Sequence, residues 1–347
     1  MNNKFIEYYK SESKKLNDYI NHFNEKITLK DNRFLKDNLE VFKKLNSDGK
    51  LIRGTLINLG YKLLKGDSEY SYPLAAAFEI FQTSILIHDD IIDNDDLRRG
   101  KTTIHKYVGD KYNSKDLGRN IAICMGDLGF YESIRMIANS YNGDSSLGKI
   151  ISYFSDIVLK TIDGEILDVI TPFKEINNLE NDSLENDIME VYKLKTAYYT
   201  IIGPLALGLI LAGVNDKQLE LIEKFGYNVG VAFQLQDDIL GIYGNEIGKT
   251  VGSDIREFKT TMLYSYTKQK STYYSELLKY YGKTTTEESI AAVRNICENS
   301  GALEYTRNMI EKLYSDAINI LDTIDFISDD DKLILNGLIN YLKERNK

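Results

Sequence analysis

Ser84-Ile85-Leu86-Ile87-His88-Asp89-Asp90-Ile91-Ile92-Asp93-Asn94-Asp95-Asp96-Leu97-Arg98-Arg99-Gly100 sets an aspartate cluster directly behind an apolar run. Much later, Ala232-Phe233-Gln234-Leu235-Gln236-Asp237-Asp238-Ile239-Leu240-Gly241 repeats the arrangement. An unpaired buried carboxylate is very costly. Asp89, Asp90, Asp93, Asp95 and Asp96 also repel one another, and helix propensity gives no reason to choose Asp. Something cationic must offset the charge. For carboxylate ligands that is a hard divalent metal, Mg²⁺ above all.

Working outward from the first cluster, Asp89 and Asp93 are four residues apart and stack on one helix face, with Asp90 beside them. Towards the N-terminus that face passes Leu86, Ile85 and Gln82, with Phe81 at its margin. A lone D-D-x-x-D is more often just an acidic helix end. The second cluster changes the balance, because two such sets facing each other across a helical bundle can clamp metals. Arg98, Arg99, Gly100 and Lys101 follow the first set. Carboxylates followed by paired arginines suit a metal-complexed diphosphate, whose remaining oxygens guanidinium forks can take.

The rest of the chain sets the frame. Its 347 residues contain three prolines (Pro73, Pro172, Pro204), no Trp and 43% hydrophobic residues. So few prolines suit long helices, since each costs ~3 kcal/mol inside one. Helical spacing recurs at Leu56, Leu59, Leu63 and Leu64, and at Leu219, Ile222, Phe225 and Val229. The expectation is an all-α fold, one large helical bundle, with residues 1–347 as a single domain. Breaks are expected at Asn139–Ser146, Pro172–Asp187, Gly244–Phe258 and Ile327–Asp331. Thr196–Val214 carries no formal charge. Its glycines and Pro204 favour a buried central helix over a transmembrane segment. Cys124 and Cys297 have neither zinc spacing nor a disulfide framework, and no signal peptide opens the chain, so the protein is expected in the cytoplasm. A net charge of −9 argues against nucleic acid as a partner.

These motifs carry a resemblance. Over roughly residues 45–265 the chain resembles the trans-type isoprenyl diphosphate synthases, the polyprenyl synthase family. Asp89-Asp90-x-x-Asp93 with Arg98-Arg99-Gly100 resembles the family's first aspartate-rich motif, and Phe233-Gln234-x-x-Asp237-Asp238 the second. Gly49-Lys50-Leu51-Ile52-Arg53 is similar to the segment that holds isopentenyl diphosphate. Lys195-Thr196 resembles the family's K-T pair, and Gly248-Lys249-Thr250-Val251-Gly252-Ser253-Asp254 with Lys259 resembles the segment after the second motif. Several positions depart from the pattern. Gly241 stands where many members carry a third Asp, Gln82 where His is frequent, Leu51 where Arg is common, and Gly54 and Thr250 where Pro is.

The resemblance implies a Mg²⁺-dependent prenyltransferase, a homodimer, that condenses isopentenyl diphosphate with allylic prenyl diphosphates. Asp89, Asp93 and Asp237 would hold the metal, three ions with substrate bound. Arg98, Lys195, Lys249 and Lys259 would take the allylic diphosphate; Lys50, Arg53, Gln82 and Arg99 would take isopentenyl diphosphate. Thr196 and Gln234 would offer dipoles to the allylic cation, and His88 would face away from the metals. Phe81, Ser84 and Ile85 would set the chain-length floor. Phe81 lies about 12 Å along the helix from Asp89, and Ser84 is small where shorter-chain enzymes place an aromatic ring, so a twenty-carbon product is expected. Farnesyl-length or longer products, a non-catalytic subunit of a heteromeric synthase and a class I terpene cyclase are the alternatives.

Overall fold

The structure, a computed structural model, describes residues 3–29, 32–47, 49–179, 183–244 and 251–344. They are helical nearly throughout, as expected, and divide into two compact units.

The first unit comprises Met1–Tyr153 with Pro204–Asn215. It holds α1 (Lys4–Lys26), α2 (Arg33–Asn46), α3 (Ile52–Lys65), a 3₁₀ turn (Glu69–Ser71), α4 (Tyr72–Ile92), α5 (Ile104–Tyr112) and α6 (Lys115–Ser140). Its helices start where short polar side chains cap them. Asn3 accepts from the Phe5 and Ile6 amides, Asn32 from Phe34 and Ser114 from Leu117. Helix α4 packs on α3 and α6. Along its first half Leu74, Ala75, Ala76, Ala77, Phe78 and Ile80 are wholly buried. The only strands among the described residues are β1 (Leu97–Arg98) and β2 (Lys101–Thr102), paired antiparallel with Arg98 opposite Lys101. Arg99 and Gly100 close that hairpin with φ of 53° and 75°. A two-residue hairpin loop of this hand needs positive φ at both positions.

The second unit comprises Phe154–Gly203 with Asp216–Lys347. It holds most of α7 (Leu147–Ile176), then α8 (Leu184–Val191) and a π-helix (Tyr192–Ile202). After α9 (Gly203–Ala212) of the chain come α10 (Asp216–Tyr243), α11 (Ser253–Arg256), α12 (Met262–Lys268), α13 (Ser271–Leu277), α14 (Glu287–Asn299), α15 (Ala302–Thr323) and α16 (Asp329–Lys343). Helix α10 packs on the π-helix and on α15, burying Phe225, Val229, Val231, Ala232 and Leu235. Gly230 lets the π-helix come close: a Cβ there would lie 2.6 Å from Ala197 Cα.

One local reading changes and another holds. The break expected over Pro172–Asp187 shrinks, because α7 runs through Pro172 to Ile176 and α8 begins at Leu184. The ring removes one backbone donor, but Thr171 and Glu175 on either side are buried, and their packing outweighs the local cost. The run Leu184–Ala212 is long and apolar enough to cross a membrane by length and composition, yet 78% of its apolar window is buried within the protein. It is a core element, as the sequence suggested.

Inside the first unit α3 and α9 meet backbone to backbone. A Cβ on Gly60 would overlap the Leu205 carbonyl, and one on Gly208 would overlap the Ile57 carbonyl. Neither obstacle is a flexible side-chain tip, so the helices must separate to admit a methyl group. Gly60→Ala should therefore cost about 2 kcal/mol or more despite its better helix propensity. Urea unfolding checks this, and a variant as stable as the parent would contradict the close approach.

Candidate active site

The first aspartate cluster ends α4. Asp93 is the C-cap, its amide donating to the Asp89 carbonyl at 2.8 Å, so Asp89 and Asp93 keep the i, i+4 relation. Asp90 points elsewhere and is buried. The hairpin returns Arg98 into this cluster. Its Nε donates to Asp90 at 2.6 Å, and one terminal nitrogen lies 2.5 Å from Asp90, 3.3 Å from Asp89 and 3.5 Å from Asp95. Burial pushes the Asp90 carboxyl up to about 7 against the pull of that guanidinium. Arg98 is thus first a counter-ion to the motif, and only its remaining donor capacity is open to a ligand. His88 turns to α6, where its Nε2 lies 3.2 Å from the Ile123 carbonyl and its ring fills the space over Gly126.

Two to three turns back along α4 a second cationic group is assembled. Glu79, buried, accepts the Gly54 amide at 2.7 Å near the start of α3. Gln82, its amide oriented by its neighbours, donates to Glu79 and accepts from Arg53, both at 2.8 Å. Gln82 therefore orients Arg53 rather than standing free for a ligand. Burial raises the Glu79 carboxyl, while the Gly54 amide and Arg53 oppose the shift. Arg99 lies over Gly49, its guanidinium 3.5 Å from where a Cβ would be. Lys50 is exposed, its carbonyl held by the Tyr9 hydroxyl at 2.5 Å. Leu51, between them, takes a left-handed φ of 54°, a conformation that a branched side chain adopts only when its surroundings enforce it.

The proposed floor residues share this helix. Phe81 is buried between Phe78 and Phe130, with ring centroids 5.5 and 5.6 Å away. Ser84 is fully buried against Gly129, where an added Cβ would strike its hydroxyl, and Ile85 is half-buried.

The second unit holds the other set. Thr196 donates to the Gln234 carbonyl oxygen at 2.6 Å, and the Gln234 amide donates to Asp238 at 2.8 Å. Tyr192 donates to the same buried carboxylate and accepts the Met262 amide at 2.9 Å. Burial pushes the Asp238 carboxyl up to about 8, against the lowering effect of the Tyr192 hydroxyl. Asp238 is thus committed to the protein, while Asp237, beside it, is only half-buried. Lys195 and Lys259 both reach Asp168 of α7, at 2.6 and 3.0 Å, and Lys195 also reaches Glu165 at 2.7 Å. Asp254, on α11, sets its carboxylate where a Cβ at Gly241 would go. Lys249, with Gly248 and Thr250, lies outside the described residues.

Sequence reading missed Glu79, Glu165 and Asp168, and the bond from Tyr192 to Asp238. For Glu165 and Asp168 there was a signal, since acids three residues apart on one helix face, with Asp163 close by, repel unless a cation meets them. Among the described residues no three acidic, His or Cys side chains converge closely enough to form a metal cage alone. That donor set fits Mg²⁺, which takes one or two carboxylates and completes its shell with water and phosphate oxygens.

Known proteins resemble the chain over most of its length. The chain is 31% identical to the geranylgeranyl diphosphate synthase of Sulfolobus acidocaldarius over 308 residues, 87% of this chain and 88% of that one. It is 30% identical to the geranylfarnesyl diphosphate synthase of Aeropyrum pernix over 310 residues, 87% and 92% of the two. Its structure is similar to that of geranylgeranyl pyrophosphate synthase from Corynebacterium glutamicum, complexed with isoprenyl diphosphate and magnesium. There the TM-score is 0.87 at 29% identity, covering 96% and 98% of the two chains. The polyprenyl synthetase family profile matches residues 37–298, a span that contains every motif built above, and the chain belongs to that family.

Proposed function

We propose that this enzyme, a polyprenyl diphosphate synthase that transfers prenyl groups, elongates an allylic diphosphate with isopentenyl diphosphate to a twenty-carbon product, geranylgeranyl diphosphate. The observation that carries the reading is the Glu79–Gln82–Arg53 network. It prepares a cation for a second diphosphate, which a class I terpene cyclase does not bind. The family match through both units supports treating residues 1–347 as one synthase domain. The unpaired cysteines, Cys124 and Cys297, suit a cytoplasmic protein.

Asp89, Asp93 and Asp237 are the residues assigned to magnesium, three ions with substrate bound. When bound, magnesium stabilises the charge that builds on the leaving diphosphate. Lys195, Lys259, Lys249 and the outer face of Arg98 hold that diphosphate. Thr196 donates its proton to Gln234, so its oxygen lone pairs are left for the developing allylic cation. Lys50, Arg53 and Arg99 hold isopentenyl diphosphate, with Gln82 steadying Arg53. The isopentenyl double bond attacks the allylic carbon as the carbon–oxygen bond breaks, a carbon–carbon bond forms, and the departing diphosphate takes the proton that is lost. The cation requires a site from which water is excluded.

The homodimer has a surface to match. Leu159, Ile162, Ile166, Val169, Phe173 and Ile176 follow 3–4 spacing along α7 and are 48–60% exposed. A continuous apolar stripe of this kind fits the same stripe of a second copy of the chain. Sedimentation should show a dimer that Ile166→Glu with Phe173→Glu converts to monomer. A wild-type chain that sediments as a monomer would remove the proposal.

Asp89→Ala or Asp237→Ala should lower turnover about a thousandfold or more with the thermal midpoint little changed. Initial rates with isopentenyl diphosphate, an allylic primer and Mg²⁺ test this, and near-normal turnover of Asp237→Ala would sink the metal assignment.

Product length depends on Phe81. Phe81→Ala should open space beneath the growing chain and lengthen the products, at a stability cost of about 3–5 kcal/mol. Chromatography of dephosphorylated products gives the answer, and an active variant with an unchanged distribution excludes Phe81 as the floor.

A further inference from the structure

Two lysines reach one carboxylate oxygen in the second unit. Lys195 Nζ and Lys259 Nζ lie 2.6 and 3.0 Å from Asp168 Oδ2, and Glu165 takes Lys195 from the other side at 2.7 Å. Glu165 and Asp168 stand three residues apart on one face of α7. All four side chains are 19–24% exposed, so the cluster is neither buried nor free in water. Ammonium groups on long stems normally keep apart and explore many rotamers. Here a shared anion draws two of them together.

The backbone is shaped for this. Gly164 precedes Glu165, and a Cβ at Gly164 would lie 2.8 Å from Lys195 Cα and 2.9 Å from Lys195 Cβ. The missing side chain lets the π-helix lie directly on the turn of α7 that carries both acids. Lys259 is tied in as well: its amide donates to the Asp254 carbonyl at 2.8 Å.

We propose that Asp168, assisted by Glu165, is a positioning residue that fixes the lysine pair as a preset receptor for the allylic diphosphate, improving its placement rather than its affinity. The inference rests on the reading above that Lys195 and Lys259 bind that diphosphate. Each ammonium has three donors, so each keeps hydrogens for phosphate oxygens while Asp168 holds it. The four side chains sum to zero charge, and the acids therefore weaken the pull of the lysines on an anion. Removing an acid should strengthen the general attraction and loosen the geometry. Burial works to raise the Asp168 carboxyl, but the two ammonium groups hold it at about 2, so the anchor stays charged in ordinary buffers.

The experiment separates binding from turnover. Affinity for inorganic pyrophosphate, by calorimetry without substrate, is measured beside kcat for the wild type and for Lys195→Ala, Lys259→Ala, Asp168→Asn and Glu165→Gln. The lysine variants should weaken pyrophosphate binding about tenfold or more. Asp168→Asn should bind it as tightly as wild type or tighter, while kcat falls roughly tenfold to a hundredfold. In the Lys259→Ala background the same change should cost clearly less, because part of what it positions is gone. Wild-type kcat in Asp168→Asn overturns the proposal, as does a loss of pyrophosphate affinity equal to that of the lysine variants. If the lysine variants bind pyrophosphate normally, the reading of this end fails first and takes the inference with it. Should Asp168→Asn not fold, Glu165→Gln decides: kcat lowered about threefold or more supports positioning, and unchanged kcat ends it.

Discussion

Moving an ionised carboxylate from water into a helical interior costs several kcal/mol unless a cation or several hydrogen bonds replace its hydration. This protein accepts that cost repeatedly, and its polar architecture consists of the replacements. Asp90 is met by the Arg98 guanidinium, Glu79 by the Gly54 amide and Gln82, Asp238 by Tyr192 and Gln234, and Asp168 by two lysines. In each case protein partners take up the carboxylate, and it fixes a cation or the element that carries one. The motif aspartates thus divide by task. Asp89, Asp93 and Asp237, to which the proposed metal role falls, are half-buried, while Asp90 and Asp238 face inward and fix their surroundings.

Such pairing needs helices that lie closer together than ordinary side chains allow. Glycines provide this at three places. Gly164 seats Lys195 on α7, Gly230 brings Ala197, next to Thr196, against α10, and Gly126 admits His88 to α6. The π-helix serves the same end. Its i→i+5 bonding widens the turn at Tyr192–Ile202, and such segments concentrate at functional sites.

Much of this could be read in the sequence. The helical class, the buried apolar run before Val214 and the i, i+4 aspartates all follow from spacing and residue type. Pairings between distant residues could not be read. Asp168 meets Lys259 across 91 positions, and nothing local at either end announces the other. The inward role of Arg98 was hidden because a hairpin, not a helix, carries it back to the cluster. Pro172 misled because its local penalty is visible in sequence, whereas the packing of Thr171 and Glu175 that outweighs it is not. No periodicity signals a π-helix, since its apolar positions still read as helical.

The carboxylate of Asp254, lodged where a side chain at residue 241 would have to stand, ties the two positions together. Any side chain at 241 therefore requires the Asp254 carboxylate, the mobile end of a side chain, to swing aside. An aspartate there would also bring two like charges to contact distance, which raises the pKa of one of them. The end of the second motif is thus coupled to α11 through the rotamer of a single acid, and whatever occupies 241 decides where that acid points.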